Sequence, residues 1–253
     1  MTSVAGPAFL FTLMSQAAYQ LSRGHSFATD LAISPVLWIA QSLVLTPLAI
    51  AVHRYVLLDE VTQHYALNLT DQRFQRFFGL AIAIQALWLS IAIWFILGHF
   101  VFGAPMFWGE PITPGAEERA AWVLFVCFAA ALVTGFVVAS VILSIVILFP
   151  AVAIDARGVG WRNAMDDSKG HTYRIFCAFG LGLVPMFPLD GVAELILAPQ
   201  EFGSSLGPHP AFQTIDVVWR AAELVLIVSA FASIASRLYV AFGRRLNGGA
   251  PVA

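Results

Sequence analysis

Charged side chains are scarce in this sequence. Only 11% of its 253 residues are Asp, Glu, Lys or Arg, whereas soluble domains carry about 25%. Hydrophobic residues make up 59%, and the mean hydropathy is +0.81. The longest uncharged run extends from Ala120 to Ile154. As an α-helix it is longer than the roughly 20 residues that cross a bilayer. The scarcity of charge therefore excludes a soluble domain and predicts an integral membrane protein.

Cysteine is also rare, and the positive and negative charges nearly balance. The two cysteines, Cys127 and Cys177, both lie in apolar runs. A cysteine in such a run behaves as a small packing residue, so neither a disulfide nor a metal pair is predicted. The net charge of −2 gives no reason to expect nucleic acid as a partner. Residues Met1–Ala5 lack the positive region with which a secretory signal begins.

Signatures of catalysis are missing as well. The sequence contains no Gly-x-Ser-x-Gly, no phosphate-binding loop, no dinucleotide-binding glycine pattern and no two-histidine zinc spacing on one helix. His53, His64 and His171 fall in the predicted connections between spans, where a titratable imidazole is unremarkable. We therefore expect that the protein is not an enzyme. The sequence indicates no particular cofactor, so that question stays open.

The apolar segments predict an all-α, polytopic transmembrane helical bundle. Six spans are expected, with short interfacial helices in the cytoplasmic loops, and residues 1–253 form one integral membrane domain. The first segment is short and is interrupted by Gln16 and Gln20, so it either crosses the membrane or lies along its surface. The predicted spans cover roughly residues 5–21, 32–52, 77–103, 120–150, 174–198 and 214–241.

The distribution of basic residues predicts the orientation, because Lys and Arg accumulate on the cytoplasmic side of short loops. The connections on the opposite side hold only Arg23 and Arg119. Both termini are therefore predicted to be cytoplasmic if the first segment spans. The ten basic residues on the predicted cytoplasmic side are Arg54, Arg73, Arg76, Arg157, Arg162, Lys169, Arg174, Arg237, Arg244 and Arg245.

The most structured polar stretch follows the fourth predicted span. Pro150 and the glycines at 158 and 160 suit a break in the chain. A short helix is predicted from about 160 to 169, with Gly170 after its end. Such a helix would lie in the headgroup plane. We interpret the stretch as an interfacial elbow that fixes two spans, with a docking surface for lipid or a partner as the alternative. The candidate docking residues are Arg157, Trp161, Arg162, Lys169 and Arg174.

The sequence around the elbow resembles a family. An apolar helix ends at Phe149-Pro150-Ala-Val-Ala-Ile154, Arg157-Gly158 and a short Trp-containing helix follow, and then comes Lys169-Gly170-His171-Thr-Tyr-Arg174-Ile-Phe176. Residues 140–180 thereby resemble a group of poorly characterised bacterial membrane proteins, similar to the membrane domain fused to some glycerophosphodiester phosphodiesterases. The resemblance implies a six-helix fold in a bacterial inner membrane. No soluble stretch here could hold the phosphodiesterase catalytic domain, so no active site is transferred.

Ionisable side chains inside predicted spans are functional candidates, because charge is costly at membrane depth. The fifth span begins near Arg174, so Asp190 lies about 24 Å further along the helix, near the outer interface. Arg220 is spaced to pair with carboxylates on its own helix or on the fifth span. We interpret the group as an outer-rim ion-pair network, and the alternative is a vestibule that binds a cation, a metal or a proton. The five candidates are Asp190, Glu194, Asp216, Arg220 and Glu223.

Two classes of function remain open at this point. The first is a non-enzymatic integral membrane protein that organises lipid or serves as an accessory subunit of a larger membrane assembly. The second is a small carrier or cation-handling protein that uses the outer acidic cluster. No charged residue lies between Arg174 and Asp190 to continue a polar path inward, which favours the first. The expected partners are membrane lipids and other membrane protein subunits, and no nucleic acid.

Overall fold

The structure is a computed structural model that describes residues 2–22, 27–107, 116–186, 188, 189, 191 and 210–248. Within those ranges all regular secondary structure is helical, which confirms the predicted all-α class. The helices are α1 (Thr2–Ser22), α2 (Phe27–Leu58), α3 (Gln72–Phe107), α4 (Ala116–Ile145), α5 (Leu148–Ala153), α6 (Trp161–Ser168), α7 (Thr172–Leu183) and α8 (Pro210–Phe242).

Four stretches of these helices are long and apolar enough to cross a membrane. They are Ser34–Leu58, Gln72–Ile91, Phe125–Ala153 and Thr214–Phe242. They correspond to the second, third, fourth and sixth predicted spans. The predicted fifth span contains α7, which is apolar but short, and continues into residues outside the described ranges. The structure thus supports a membrane protein with four candidate spans, and the count of six stays a prediction.

Helix α8 lies at the centre of the helical arrangement. It packs against α1, α2, α5 and α7, while α3 and α4 form a second closely packed pair. Helix α1 contacts α2 and α8, and its buried Val4 and Ala8 belong to a cluster that includes residues of both helices. The Gln41 amide also donates a hydrogen bond to the Ser15 hydroxyl at 2.9 Å, which joins α2 to α1. The first predicted segment is therefore a helix of the bundle, and whether it crosses the membrane stays a prediction.

The long uncharged run is broken close to its end, between α4 and α5. Pro150 has no N–H with which to bond the carbonyl of Val146, and its ring crowds that carbonyl. The Phe149 N–H bonds the Val146 carbonyl at 3.3 Å instead, and the helix resumes at Leu148. Residues 145–148 and 150–153 are all buried, whereas much of α4 before Val138 is exposed. The end of the run, rather than its middle, is thus the core of the bundle.

Ala131, Gly135 and Ala139 recur every four residues on α4 and form a stripe of small residues, and its central member packs within this chain. Gly135 faces α3, where an added Cβ would lie 3.8 Å from the Ile91 side chain. The Trp94 indole N–H of α3 donates to the Thr134 hydroxyl at 3.0 Å. Because close approach of helices depends on small residues where lipid removes the usual hydrophobic drive, this stripe explains the tight α3–α4 pair.

Three segments meet at one end of the bundle, which we call the elbow end: residues 59–71, 154–171 and 243–248. The Arg54 guanidinium donates to the Ala153 carbonyl at 3.3 Å and pairs with Glu60. Arg73, at the start of α3, pairs with Asp155 across the same end. Asp155 has a φ of 52°, in the left-handed region that aspartate tolerates better than most residues. These contacts hold the ends of α2, α3 and α5 together.

The connection at residues 59–71 folds back along the bundle instead of projecting from it. The Tyr65 hydroxyl donates to the Val44 carbonyl at 2.8 Å, and its ring lies 6.3 Å from that of Phe11 on α1. Partial burial raises the pKa of Tyr65. The segment therefore covers the groove between α1 and α2. The sequence predicts a cytoplasmic loop here and does not indicate this packing.

Candidate functional site: the elbow and an intramembrane cavity

The predicted elbow helix is present as α6, Trp161–Ser168, and it ends as expected. Gly170 has a φ of 81°, the left-handed conformation that glycine adopts without strain after a helix. Ala164 and Ser168 are buried beneath the helix. Trp161 and Met165 lie one turn apart and are about half exposed, at 42% and 43%. The helix therefore presents one aromatic and one flexible apolar side chain away from the protein.

The C-terminal segment, residues 243–248, is bound to the elbow by the carboxylate of Asp167. One oxygen accepts the N–H of Arg245 at 2.8 Å and the N–H of Leu246 at 2.9 Å, and the other lies 3.0 Å from the Arg245 nitrogen. The side chain of Leu246 is completely buried in the core. Asp167 therefore satisfies two backbone donors that have left the end of helix α8.

Gly158 provides the second contact between the elbow and the C-terminal segment. Its N–H donates to the carbonyl of Leu246 at 2.9 Å, and its own carbonyl accepts the Asn163 amide at 2.9 Å. A Cβ at this position would lie 2.7 Å from the Leu246 carbonyl oxygen and closer still to that of Arg245. Only glycine allows the two backbones to approach this closely.

The acidic residues of the elbow are all engaged by protein groups. Asp155 pairs with Arg73, Asp166 pairs with Arg245, and Asp167 accepts backbone N–H groups. The predicted docking cations remain exposed, and in the part of the chain that the structure describes they take part in no ion pair or hydrogen bond. These cations are Arg157, Arg162, Lys169 and Arg174. The elbow thus carries fixed positive charge beside the exposed Trp161.

The predicted outer polar cluster is only partly within the described residues. Arg220 lies between Asp216 and Glu223 on its own helix, at 3.4 Å and 3.3 Å respectively. Asp190 and Glu194 lie outside the described residues, so pairing between α8 and the fifth predicted span stays a prediction. Among the residues described, no group of three or more His, Cys, Asp or Glu side chains could hold a metal ion. The cation-handling alternative also stays a prediction.

A cavity of about 550 Å³ lies between α2, α3 and α8, and Ile142 and Phe149 close it on the fourth side. It follows α2 from Ser42 to His53, which is about 16 Å at helical rise. Each described residue that lines it belongs to one of the four candidate spans. Among these twenty residues, those with polar side chains are Gln41, Ser42, Thr46, His53 and Gln85, and the other fifteen are apolar.

The polar group nearest the elbow end of the cavity is His53, which is 2% exposed. Its Nδ1 lies 2.7 Å from the Ser236 hydroxyl oxygen. That hydroxyl donates its only hydrogen to the Ala232 carbonyl, at 2.9 Å. The Ser236 oxygen is therefore the acceptor of the bond from Nδ1–H. In a neutral imidazole the other nitrogen, Nε2, then carries a lone pair and accepts hydrogen bonds.

The Nε2 atom of His53 has no partner in the described residues. Three side-chain atoms in the described residues are buried and have no hydrogen-bond partner: His171 Nδ1, Trp219 Nε1 and the Tyr239 hydroxyl oxygen. Nε2 of His53 is not one of these buried atoms. Since His53 borders the cavity, we assign Nε2 as an acceptor that the cavity can reach.

The other end of the cavity is bridged by Gln85. Its amide donates to the Ser42 hydroxyl and lies 3.5 Å from the Trp38 carbonyl, which links α3 to α2. Trp38 and Trp88 line this end and are about half exposed, at 48% and 52%. The cavity therefore reaches the outer surface of the bundle between α2 and α3.

Sequence reasoning misjudged two groups in these sites. His53 was expected in a cytoplasmic connection, but α2 continues to Leu58 and buries it. A usable signal exists, because Ser42, Leu45, Ala49 and His53 recur at helical spacing on one face. No structural role was predicted for Asp167, and no local pattern marks it.

Comparison of the chain with protein-family models, with curated proteins and with solved structures gives no match. The resemblance of residues 140–180 to bacterial six-helix membrane proteins accordingly stays a prediction. We therefore infer the function of the protein from the elbow and the cavity.

Proposed function

We propose that this is a non-enzymatic integral protein of a bacterial inner membrane that organises anionic lipid at its elbow. One observation carries the proposal: the elbow's carboxylates are engaged internally, while its four exposed cations have no ion-pair partner among the residues that the structure describes. Clusters of Lys and Arg beside membrane spans attract anionic headgroups, at about 1 kcal/mol for each residue near the surface. Trp161 is suited to the headgroup level, where aromatic side chains are enriched.

The internal hydrogen bonds of the elbow support this proposal. Asp167 and Gly158 hold the elbow against the C-terminal segment, so Arg157 and Arg162 project from a fixed backbone. Cations on an ordered backbone lose less conformational entropy on binding than cations on a free loop. The predicted cytoplasmic orientation would place the set against the inner leaflet, which in bacteria as in other cells carries anionic lipid.

Neutralising the elbow is expected to release anionic lipid. The variant Arg157→Gln, Arg162→Gln, Lys169→Gln, Arg174→Gln should bind phosphatidylglycerol at least about 100-fold more weakly, since roughly 1 kcal/mol is lost at each position. The measurement is native mass spectrometry of lipids that stay bound to the full chain after detergent extraction.

The matched control is Arg119→Gln, which removes a cation predicted to lie on the opposite side. It should leave the retained phosphatidylglycerol unchanged. Retention of the same lipid by the four-residue variant would contradict the proposal. If the variant instead loses a stoichiometric protein that co-purifies with the wild type, the elbow is a subunit contact and the accessory-subunit alternative is correct.

The orientation is tested separately with reporter fusions. A reporter that folds only in the cytoplasm should be active when fused after Gly248 and when inserted between residues 155 and 170. Both sites belong to the elbow end, so the two results must agree. Activity of an exclusively periplasmic reporter at either site would place the elbow outside and exclude contact with the inner leaflet.

A further inference from the structure

The cavity between α2, α3 and α8 has the size and lining of a ligand site. Its volume of about 550 Å³ lies within the roughly 300–1,000 Å³ typical of small-molecule pockets. Fifteen of the twenty described residues that line it are apolar. Water is a poor occupant of such a space, because each buried water requires about two to four polar partners. A matching ligand is therefore apolar along most of its length.

The position of the opening indicates that this ligand comes from the bilayer. The half-exposed Trp38 and Trp88 border the cavity on α2 and α3, at the end that Gln85 bridges. Both lie in stretches that are apolar enough to span the membrane. Lipid chains would therefore surround this opening, and an apolar molecule could enter sideways without passing through water.

The chemistry of the lining limits the headgroup of the ligand. None of the described residues that line it is Asp, Glu, Lys or Arg, so an ionised headgroup would be buried beside them without a compensating charge at high cost. At the inner end, Nε2 of His53 is an acceptor, fixed in that role by the Nδ1–H bond to Ser236. A ligand that pairs with this acceptor must therefore carry a neutral hydrogen-bond donor.

We propose that this cavity binds a neutral single-chain lipid whose chain ends in a hydroxyl group. The hydroxyl donates to Nε2 of His53, and the chain lies between α2 and α3 over the roughly 16 Å that separate His53 from Ser42. Gln85 bridges the two helices beside the chain. This site is distinct from the elbow and uses none of the elbow's charges.

The proposal is tested with matched 14-carbon probes on the full-length protein in detergent micelles. Saturable binding of radiolabelled tetradecanol is measured, and tetradecane and tetradecanoate compete with it. We expect about one tetradecanol per chain. Tetradecane, which has no donor, and tetradecanoate, which carries a charge, should each bind at least tenfold more weakly. This comparison needs no variant. Equal affinity for tetradecanol and tetradecane would overturn the assignment of the hydroxyl to His53.

Substitution of two alanines of α3 tests whether the probes bind in the cavity. Ala81 lines the cavity, whereas Ala86 is exposed on the outside of the same helix. Ala81→Phe should abolish binding of both the alcohol and the alkane, and Ala86→Phe should change neither. If Ala81→Phe binds tetradecanol like the wild type, the cavity is not the site and the proposal fails.

His53→Phe then tests the hydrogen bond itself. The aromatic ring is kept and the acceptor is removed, so affinity for tetradecanol should fall about tenfold, to the level of tetradecane, while affinity for tetradecane is unchanged. A purely structural role for His53 would reduce binding of both probes together, and that result would overturn its assignment as the acceptor. Binding at the elbow is unaffected by this variant, so lipid retention there serves as the control for folding.

Discussion

Gly158→Ala is expected to detach the C-terminal segment from the elbow. The added Cβ would lie 2.7 Å from the Leu246 carbonyl oxygen and closer to that of Arg245. Both obstacles are backbone atoms, so no side chain can rotate away. We expect a loss of about 3 kcal/mol of unfolding free energy, at the upper end of overpacking effects. The loss is measured by reversible denaturation in detergent micelles, followed by Trp fluorescence.

The neighbouring glycine provides a matched control for this substitution. Apart from its two chain neighbours, the nearest atom to a Cβ at Gly160 would be the Gly158 carbonyl oxygen at 3.9 Å, and the backbone there is extended, with a φ of −177°. Gly160→Ala should therefore leave stability within about 0.5 kcal/mol of the wild type. Amide hydrogen exchange at residues 243–248 should rise sharply in Gly158→Ala alone. Equal stability of the two variants would show that the C-terminal segment is not packed on Gly158.

Asp167→Ala is expected to be nearly as damaging, for a different reason. Removal of the carboxylate leaves the N–H groups of Arg245 and Leu246 without acceptors, and Leu246 is in the core. Each buried donor left unsatisfied costs about 1–3 kcal/mol, so a total loss of about 3 kcal/mol is expected. The same denaturation and hydrogen-exchange measurements apply, and residues 243–248 should again lose protection first.

Asp166 supplies the comparison for this carboxylate. Its pair with Arg245 is largely exposed, and such pairs contribute at most about 1 kcal/mol. Asp166→Asn should therefore have little effect, and a loss as large as that of Asp167→Ala would contradict the hydrogen-bond explanation. Because Gly158 and Asp167 hold the same segment, the double variant should lose less than the sum of the single losses.

The elbow helix α6 is an element that local sequence patterns predict. Glycines at 158 and 160, a polar stretch of about eight residues and a final Gly170 predicted a short helix from about 160 to 169, and α6 occupies Trp161–Ser168. Each of these signals acts within one or two turns, through backbone freedom and capping. The position and ends of the helix were therefore accessible from the sequence.

The role of Asp167 was not accessible in the same way. Its partners, Arg245 and Leu246, are 78 and 79 residues away along the chain. Adjacent aspartates at 166 and 167 look equivalent in the sequence, yet they point in directions about 100° apart on a helix. The difference arises because the C-terminal segment packs on one side of α6. Asp167 bonds the backbone of that segment, whereas Asp166 forms an exposed ion pair.

The cavity illustrates the same distinction at larger scale. Ser42 and His53 can be placed on one face of α2 from their spacing, and their polarity within an apolar helix is visible in the sequence. The void itself is not visible, because it depends on how far apart α2, α3 and α8 remain when all three are packed. The hydroxyl of Ser236, which selects the tautomer of His53, comes from a residue 183 positions later.

The sequence by itself determined that this chain is helical and belongs in a membrane, because low charge and long apolar runs act along the chain and need no partner. It also indicated a break near the end of the fourth span, since Pro150 disturbs a helix locally, although the candidate span continues to Ala153. Tertiary structure alone decided which charges remain free at the elbow, which histidine is buried, and where a cavity opens toward lipid. Those properties depend on contacts between helices distant in sequence, and periodicity along one helix does not encode them.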